Sequence, residues 1–314
     1  MPFVSIVTPC YNEEDNVDEL HARIAAVLAA LPQYDYEHIF IDNASADRTR
    51  EKITAIAARD PHVWGIFNAR NFGHIRSPFH GMMQARGDAV VVMASDLQDP
   101  PELIGEFLAG WEKGGKVVVG VKVKSEESLP FWVLRSIYYR LVRAMADVDL
   151  IEHFTGFGLY DRQVVEIMRD LGDPYPYVRG LVSEIGLPIV RLPYAQPLRK
   201  RGITKNNFYT LWDMAMLGVT THTRIPLRMA TIGGFLAGAL SFGIALGYLI
   251  AKLVWWDDFE LGFAPLLVGM FFLGSVQMLT LGILGEYIGA VLTQVRGLPH
   301  VVELQRVGVG AKTR

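Results

Sequence analysis

The stretch "VVVMASDLQDPPELI", residues 90–104, decides the fold and points to a site. Its apolar run predicts a buried strand that ends at Asp96, and the two prolines predict the start of a helix. In open sheets of parallel strands, ligands bind at the carboxyl ends of the strands. Asp96 is therefore a candidate ligand of a divalent cation, and Gln98, on the same side of an extended chain, offers a second oxygen. For Asp99 and Glu102 we favour a simpler role in capping the helix.

Apolar runs of this kind alternate with helical segments through the N-terminal part of the chain. Strands are predicted at "FVSIVTP", "EHIFID", "VWGIFNA", "AVVVMAS" and "KVVVGVK", with amphipathic segments between them. This alternation predicts an α/β fold, in which helices cover both faces of a mainly parallel, Rossmann-like sheet. Asp42 and Asp96 each follow a strand, so we expect both carboxylates to face one crevice.

Two later stretches are long and uncharged. Residues 229–251 and 262–285 contain no Asp, Glu, Lys or Arg. About 20 apolar residues are enough for a helix to cross the hydrocarbon of a bilayer, so we predict a transmembrane hairpin at about 229–251 and 262–288. The alternative is a pair of buried core helices. We divide the chain into an N-terminal α/β domain at 1–205, juxtamembrane amphipathic helices at 206–226, two transmembrane helices within 227–295 and a tail at 296–314.

The charges near the two stretches predict an orientation. Arg224 and Arg228 precede the first stretch, Arg296 follows the second, and the loop between them holds Asp257 and Asp258. Positive flanks mark the cytoplasmic side, so the N-terminal domain and both termini are expected there, on an inner membrane that the chain crosses twice. The N-terminus lacks the pattern of a secretory signal. A single cysteine excludes an intramolecular disulfide and suits a reducing compartment.

Five segments in order resemble one family. They are "SIVTPCYNEEDNV", "IFIDNASADRT", "ARNFGHIRSPFHGMMQARGDAVVVMASDLQDPPELI", "YAQPLRKRGITKNNF" and "LGILGEYIGAVLTQVRGLPHVV". Together they resemble the polyprenyl-phosphate glycosyltransferases, inverting enzymes of the GT-A fold that include dolichol-phosphate mannose synthase. The resemblance implies transfer of a sugar, with inversion, from a UDP- or GDP-linked donor to a polyprenyl phosphate at the cytoplasmic membrane face. No residue indicates which sugar is transferred or which nucleobase the donor carries.

The resemblance also implies roles for residues of this sequence. The nucleoside pocket would be formed by Pro9, Tyr11, Glu13 and Asp42. Asp96 and Gln98 would hold Mg²⁺ or Mn²⁺ on the diphosphate. The phosphates of donor or acceptor would be bound by Lys122, Arg135, Arg199 and Lys205. Asp96, Arg199 and Lys205 would carry the catalysis. Arg199 and Lys205 also fit a basic patch attracted to anionic lipid.

The sequence departs from the family pattern in two places, at which two acids and one arginine of the family are absent. Ala94 replaces the first acid of the Asp-x-Asp motif, and Gly156 and Gly158 stand where the family often has Asp and Arg around a Phe. His153 and Glu184 are nearby candidates for a missing base, although a structural role is favoured for each.

Two other functions stay open. A processive polysaccharide synthase usually carries Gln-x-x-Arg-Trp, whereas "QPLRK" lacks the tryptophan. A non-catalytic membrane scaffold would explain the lost acids. We also expect a homo-oligomer, because small residues such as Gly234, Gly238 and Gly247 allow close helix contact, and we expect no nucleic-acid partner.

Overall fold

A computed structural model describes residues 1–124, 151, 153–197, 225–254 and 263–308 of the chain. In that part, eight strands form one sheet: β1 (Phe3–Cys10), β2 (Asp35–Asp42), β3 (Val63–Asn68), β4 (Ala89–Val92), β5 (Val117–Lys124), β6 (Phe154–Asp161), β7 (Ile189–Ala195) and β8 (Glu303–Gly308). The helices are α1 (Val17–Ala29), α2 (Thr49–Arg59), α3 (Gly73–Gln84), α4 (Ile104–Glu112), α5 (Arg162–Leu171), α6 (Val178–Ile185), α7 (Ile225–Val254) and α8 (Phe263–Val295).

The sheet is mixed and mostly parallel. Its strand order is β7-β5-β6-β4-β1-β2-β3-β8. The pairs β1–β2, β1–β4, β2–β3 and β5–β7 are parallel, and the pairs β4–β6, β5–β6 and β3–β8 are antiparallel. All five strands predicted from the sequence are present, and the predicted α/β class is confirmed. The order places the carboxyl ends of β1 and β4 side by side at the centre of one edge.

Helices cover both faces of the sheet because side chains alternate along each strand. In β1, Val4 and Ile6 belong to a buried cluster with α1 and α4. Val7 belongs to the cluster on the other face, which contains Phe79 of α3 and Met168 of α5. Full burial of such side chains stabilises the fold by about 1.5–3 kcal/mol each. The sheet is therefore a rigid base for the loops at its carboxyl edge.

The start of α3 differs from the sequence prediction. The segment "SPFHGMMQARG" predicts a helix that begins at Ser77, but the helix begins at Gly73 and Pro78 lies inside it. Two asparagine side chains explain the earlier start. Asn43 Oδ1 accepts from Phe72 N at 2.9 Å and Asn71 Oδ1 accepts from Gly73 N at 2.8 Å, which satisfies amides that have no partner within the helix.

The segment after α8 returns to the sheet. Strand β8, within the predicted tail, pairs with β3 and covers that edge. It is held by a tail cluster of four side chains: His80, Gln84, Glu303 and Arg306. Glu303 Oε1 lies 2.6 Å from His80 Nε2, Glu303 Oε2 accepts from Arg306 Nε at 2.6 Å, and Arg306 Nη2 donates to Gln84 Oε1 at 2.7 Å. Part of the tail thus belongs to the sheet, which the sequence did not predict.

Helices α7 and α8 contact each other and expose their apolar side chains. The windows Leu227–Ile244 and Gly269–Val295 are long and apolar enough to cross a membrane, and none of their residues is buried. Phe235 is 80% exposed and Phe271 is 75% exposed. This exposure argues against the alternative of buried core helices. The two helices are candidate membrane spans, as predicted; most of the predicted juxtamembrane segment, 206–224, lies outside the described residues.

The end of α8 is joined to the rest of the fold at Asp173, in the loop between α5 and α6. Gln294 Nε2 donates to Asp173 Oδ1 at 2.9 Å, and His300 Nε2 donates to the Asp173 carbonyl at 2.7 Å. The His300 ring also meets Phe79 edge-on, with ring centres 4.9 Å apart. These contacts connect the second candidate span to the loop that leads into α6.

Candidate active site

A cavity of about 520 Å³ opens at the carboxyl ends of β1 and β4. Its floor is formed by the ends of these strands and by the beginning of β6, which runs antiparallel to β4. Its sides are formed by the loop after β1, the loop after β4, the first turn of α3 and residues 176–179 before and within α6. This is the position at which open α/β sheets bind ligands.

The loop after β1 forms one wall. Pro9, near the end of β1, lines the cavity together with Tyr11 and Glu13 of the loop; these are three of the residues for which the resemblance implies a nucleoside pocket. The loop is held by the segment after β2: Asn12 N donates to Ser45 Oγ at 2.8 Å, and Glu13 N donates to Thr49 Oγ1 at 2.9 Å. The two motifs, far apart in sequence, thus form one unit with fixed backbone.

Asp42 lies behind this wall. Its side chain is fully buried and its Oδ2 accepts from Arg50 Nε at 2.6 Å and from Ser45 N at 3.1 Å. Asn43, the next residue, lines the cavity instead, whereas Asp42 is absent from the lining. The predicted contact between Asp42 and a nucleoside would require the carboxylate to leave this ion pair. In the structure Asp42 fixes the backbone of the segment that supports the loop after β1.

Asp96 lines the cavity at the end of β4, where the sequence placed it. Its Oδ1 accepts from Gln98 N at 3.1 Å, and the intervening Leu97 adopts a left-handed φ of 61°. A left-handed leucine is strained, and such strain clusters at functional sites. Gln98 is partly buried, and its side chain is not part of the cavity lining. The two predicted metal ligands are thus linked by a hydrogen bond from the backbone amide of Gln98 to the side chain of Asp96.

Asp99 is a buried acid, and the expectation that it caps the helix is wrong. Pro100 precedes the 3₁₀ turn at Pro101–Leu103, without a side-chain cap. Asp99 Oδ2 accepts from Ala94 N at 3.0 Å, and Asp99 Oδ1 accepts from Tyr194 OH at 3.1 Å. Burial, and then the charge of Asp96, raise the pKa of Asp99 from 3.8 to about 6. Asp99 therefore holds the loop that carries Asp96.

Glu102 lies in the short 3₁₀ turn and forms an ion pair with Arg23 of α1, with 2.7 Å between Arg23 Nη2 and Glu102 Oε2. It does not line the cavity. The sequence predicts that Glu102 caps the helix, but no side-chain cap is present at this turn; Glu102 instead joins the turn to α1, and Asp96 and Asp99 are the acids of this loop in the cavity.

The glycines that stand in place of the family's Asp and Arg have structural reasons. Gly156 lines the cavity with a φ of +103°, a conformation that L side chains rarely adopt. A Cβ on Gly158 would lie 2.6 Å from the Val118 carbonyl oxygen, within the β5–β6 pairing. At Ala94 the backbone amide is bound to Asp99. The backbone of this protein therefore disfavours a side chain at 156 and excludes one at 158.

Residues 176–179 form the wall that carries positive charge. His74, Tyr177 and Arg179 line the cavity there. Burial lowers the pKa of His74, and the neighbouring Arg179 charge lowers it further. The Arg179 guanidinium carbon lies 5.5 Å from the centre of the Tyr177 ring. The sequence analysis missed Arg179, because no spacing rule separates it from an ordinary surface arginine.

The other predicted site residues fall into two groups. Lys122, His153 and Glu184 are described and lie outside the cavity lining, although the Lys122 charge lowers the pKa of Asp99. Arg135, Arg199 and Lys205 lie outside the described residues. Among the residues that the structure describes, no group of three or more His, Cys, Asp or Glu side chains could hold a metal ion alone.

Comparison with known proteins agrees with this architecture. Residues 5–168 match the family model "Glycosyl transferase family 2". An uncharacterized glycosyltransferase of Bacillus subtilis (strain 168) is 34% identical over 98% of this chain and 95% of its own. A bactoprenol glucosyl transferase of Shigella phage SfII is 32% identical over 95% of this chain and 96% of its own.

Among solved structures, glucosyl-3-phosphoglycerate synthase from Mycobacterium tuberculosis, in complex with UDP, is 20% identical with a TM-score of 0.47, over 70% of this chain and 78% of its own. The family match spans β1 and β4, the strands that precede the cavity wall of Tyr11 and Glu13 and the loop of Asp96. With the observed sheet, it confirms the predicted GT-A class. The chain therefore belongs to glycosyl transferase family 2.

Proposed function

We propose that the protein transfers a sugar from a nucleotide-sugar donor to a polyprenyl phosphate at the cytoplasmic membrane surface, with inversion at the anomeric carbon. The observation that carries the proposal is that one sheet connects the cavity to the two exposed apolar helices. The cavity lies at the carboxyl ends of β1 and β4, and β8, which follows the two helices in the sequence, pairs at the edge of the same sheet. Support comes from relatives named bactoprenol glucosyl transferases, which match nearly the whole chain, spans included.

The donor half of the site lies between the wall of Pro9, Tyr11 and Glu13 and the loop of Asp96. The nucleoside would rest on the first, and the diphosphate would lie near the second. A single carboxylate with a nearby amide oxygen fits Mg²⁺ or Mn²⁺, because such ions often take one or two carboxylates and complete their coordination with water and substrate phosphates. Asp96 would hold the ion, and Gln98, whose side chain lies outside the cavity lining in this structure, would have to turn inward to become a second ligand. When bound, the ion neutralises charge on the leaving diphosphate.

The acceptor half needs no protein base. The second pKa of a phosphate monoester is about 6, so the acceptor is largely a dianion near neutral pH. One of its oxygens attacks the anomeric carbon, the bond from that carbon to the diphosphate breaks, and the nucleoside diphosphate leaves. No proton has to move. Glycines at 156 and 158 are therefore compatible with activity. Arg199 and Lys205, with Arg135, are proposed to bind the lipid phosphate.

The proposed orientation in the membrane is based on the charged residues that flank the two apolar helices. We propose that α7 and α8 cross the bilayer as a hairpin, with the catalytic domain and both termini in the cytoplasm. Gly234, Gly238 and Gly247 have no atom within 4 Å of an added Cβ, so these positions are open to a second copy of the chain. The homo-oligomer remains a proposal on this basis.

The test is a donor screen. The purified protein is mixed with labelled UDP- and GDP-sugars and undecaprenyl phosphate, with Mg²⁺, Mn²⁺ or a chelator, and labelled lipid is separated by chromatography. We expect one donor to give labelled lipid in a metal-dependent reaction. A scaffold would give no product, and its nucleotide binding would be absent or indifferent to metal.

The base-free mechanism has its own test. Single-turnover transfer over a pH series should rise with one apparent pKa near that of the acceptor phosphate. Glu184→Gln should preserve the reaction, whereas Arg199→Ala and Lys205→Ala should impair transfer and preserve donor binding. Loss of reaction in Glu184→Gln, with both substrates still bound, would mean that a protein base is required.

A further inference from the structure

We propose that Arg179 binds the phosphate of the acceptor and holds it on the side of the cavity away from the leaving diphosphate. The inference deepens the proposed function and rests on it. It assigns a positioning role to a residue on a wall that neither the family motifs nor the sequence pattern singled out.

The first support is position. Arg179 lines the same cavity as Asp96 but comes from a different element. Asp96 follows β4, whereas Arg179 is the second residue of α6, and Tyr177 and Val178 before it also line the cavity. The cavity therefore has an acidic loop on one element and a basic wall on another.

The second support is charge. Among the described residues that line the cavity, Arg179 is the single arginine or lysine, beside the acids Glu13, Asp96 and Asp99. No described carboxylate forms an ion pair with Arg179, and its recorded contact is with the Tyr177 ring. The charge of Arg179 influences other residues of the cavity. It lowers the pKa of His74, and it partly offsets the increase in the pKa of Tyr160 that burial causes. Both residues line the cavity.

A neighbouring arginine shows the contrast. Arg76, in α3, lies over the Tyr175 ring, with its guanidinium carbon 5.0 Å from the ring centre, and its Nε is buried without a hydrogen-bond partner. Arg76 is not part of the cavity lining. Arg179, by contrast, belongs to the lining of the space in which substrates would lie. Of these two stacked arginines, Arg179 is therefore the one suited to an anionic ligand.

The chemistry favours a phosphate monoester. A guanidinium can bind two phosphate oxygens at once through parallel N–H donors, and a side chain already stacked on an aromatic ring loses less freedom when it does so. Inversion requires the nucleophile to approach the anomeric carbon from the face opposite the leaving group. If the diphosphate lies with Asp96, the acceptor phosphate needs a cation on another wall. Arg179 supplies it.

The direct test measures binding to the full-length protein in detergent. The probes are farnesyl phosphate, farnesol, and UDP and GDP with Mg²⁺, each titrated by calorimetry. We expect wild type to bind farnesyl phosphate more tightly than farnesol. Arg179→Met, which keeps an unbranched stem against Tyr177 but removes the charge, should weaken farnesyl phosphate binding by about tenfold or more. Binding of farnesol and of the nucleotides should change less than about twofold.

Two further variants complete the design. Arg179→Lys should bind farnesyl phosphate more tightly than Arg179→Met but less tightly than wild type, because lysine has the positive charge but not the two parallel N–H donors of a guanidinium. Arg59→Met is the matched control, because Arg59 is an exposed arginine at the end of α2 that pairs with Asp18 and lies outside the cavity. It should leave all four affinities unchanged. In turnover, Arg179→Met should raise the acceptor KM and leave the donor KM unchanged.

The outcomes separate the two proposals. Equal farnesyl phosphate binding by wild type and Arg179→Met would overturn this assignment, as would equal binding of farnesol and farnesyl phosphate by wild type. A parallel loss of nucleotide affinity would place Arg179 at the donor and also overturn it. If wild type transfers no sugar in the donor screen, the proposed function fails, yet the binding titrations still decide whether Arg179 recognises a phosphate.

Discussion

Glu303→Gln should release β8 from the edge of the sheet. Glu303 joins His80 of α3 to Arg306 of β8, at 2.6 Å from His80 Nε2 and 2.6 Å from Arg306 Nε. The side chains of His80, Glu303 and Arg306 are 14%, 20% and 16% exposed, so solvent screens their charges only in part. Glutamine keeps the shape and one acceptor oxygen but removes the charge that both partners use.

The expected loss can be worked from these contacts. Hydrogen bonds to charged groups contribute about 1.5–3 kcal/mol, and the retained amide oxygen keeps part of that. We therefore expect β8 to open about 2 kcal/mol more easily, which is about thirtyfold in the opening equilibrium. Hydrogen–deuterium exchange of a peptide covering 301–308, in detergent, would show the amides of β8 exchanging about thirtyfold faster.

The control is an exposed glutamate with a similar pair of partners. Glu166 of α5 pairs with Arg162 and Arg169, and its side chain is 44% exposed. Glu166→Gln should change exchange in α5 by less than about fivefold, as expected for surface ion pairs worth below about 1 kcal/mol. Unchanged exchange of β8 in Glu303→Gln would refute the reasoning, because the tail cluster would then contribute nothing to docking.

Acid should weaken the same contact in the wild type. Burial tends to raise the pKa of Glu303, but the bonds from Arg306 and His80 outweigh it and bring the pKa from 4.5 to about 2. A carboxylate with a lowered pKa stabilises the fold above its unfolded value, and that stabilisation is lost as pH falls from about 5 toward 2. Protection factors of β8, corrected for intrinsic exchange, should fall over this window, and less so in Glu303→Gln.

Three further predictions concern chemistry, topology and backbone. Asp96→Asn should lower turnover at least tenfold, or about 1.4 kcal/mol of barrier; unchanged turnover in a folded variant would remove Asp96 from the metal site. In cells, Leu304→Cys, at an exposed position of β8, should be labelled only from the cytoplasm and Asp258→Cys only from outside, and labelling of both from one side would contradict the hairpin. Gly158→Ala should lower thermal stability by several degrees, because its Cβ would lie 2.6 Å from a carbonyl oxygen. Its control, Gly105→Ala, has its nearest neighbour at 3.9 Å and should be neutral or stabilising.

The local parts of the fold could be predicted from the sequence. Strands β1 to β5 are short apolar runs bounded by turn residues, and this pattern is enough to place them and the parallel sheet. Strand β8 could not be predicted, because "ELQRVG" has little apolar character and its pairing with β3 joins residues more than 200 positions apart. The early start of α3 depends on Asn43, which no helical period reveals.

The same limit applies to the site. Pro9 lies near the end of β1, and Tyr11, Glu13 and Asp96 lie on loops that follow strands, so their place at the carboxyl edge of the sheet was predictable, and all four line the cavity. The burial of the Asp42 side chain behind the cavity wall depends on its ion pair with Arg50. The burial of Asp99 depends on its hydrogen bond with Tyr194, 95 residues away. Contacts of that kind are set by packing, which a sequence motif does not encode.

The short connection after α8 limits how far the catalytic domain can move from the membrane. Seven residues, 296–302, separate the end of α8 from β8, and seven extended residues span at most about 25 Å. If α8 crosses the bilayer, the cavity stays within a molecular diameter of the head groups. An acceptor confined to the same leaflet then searches a thin layer of solution, where its effective concentration is high. A weak intrinsic affinity for the lipid phosphate would suffice, and product lipid could leave by lateral diffusion without being pulled from the bilayer.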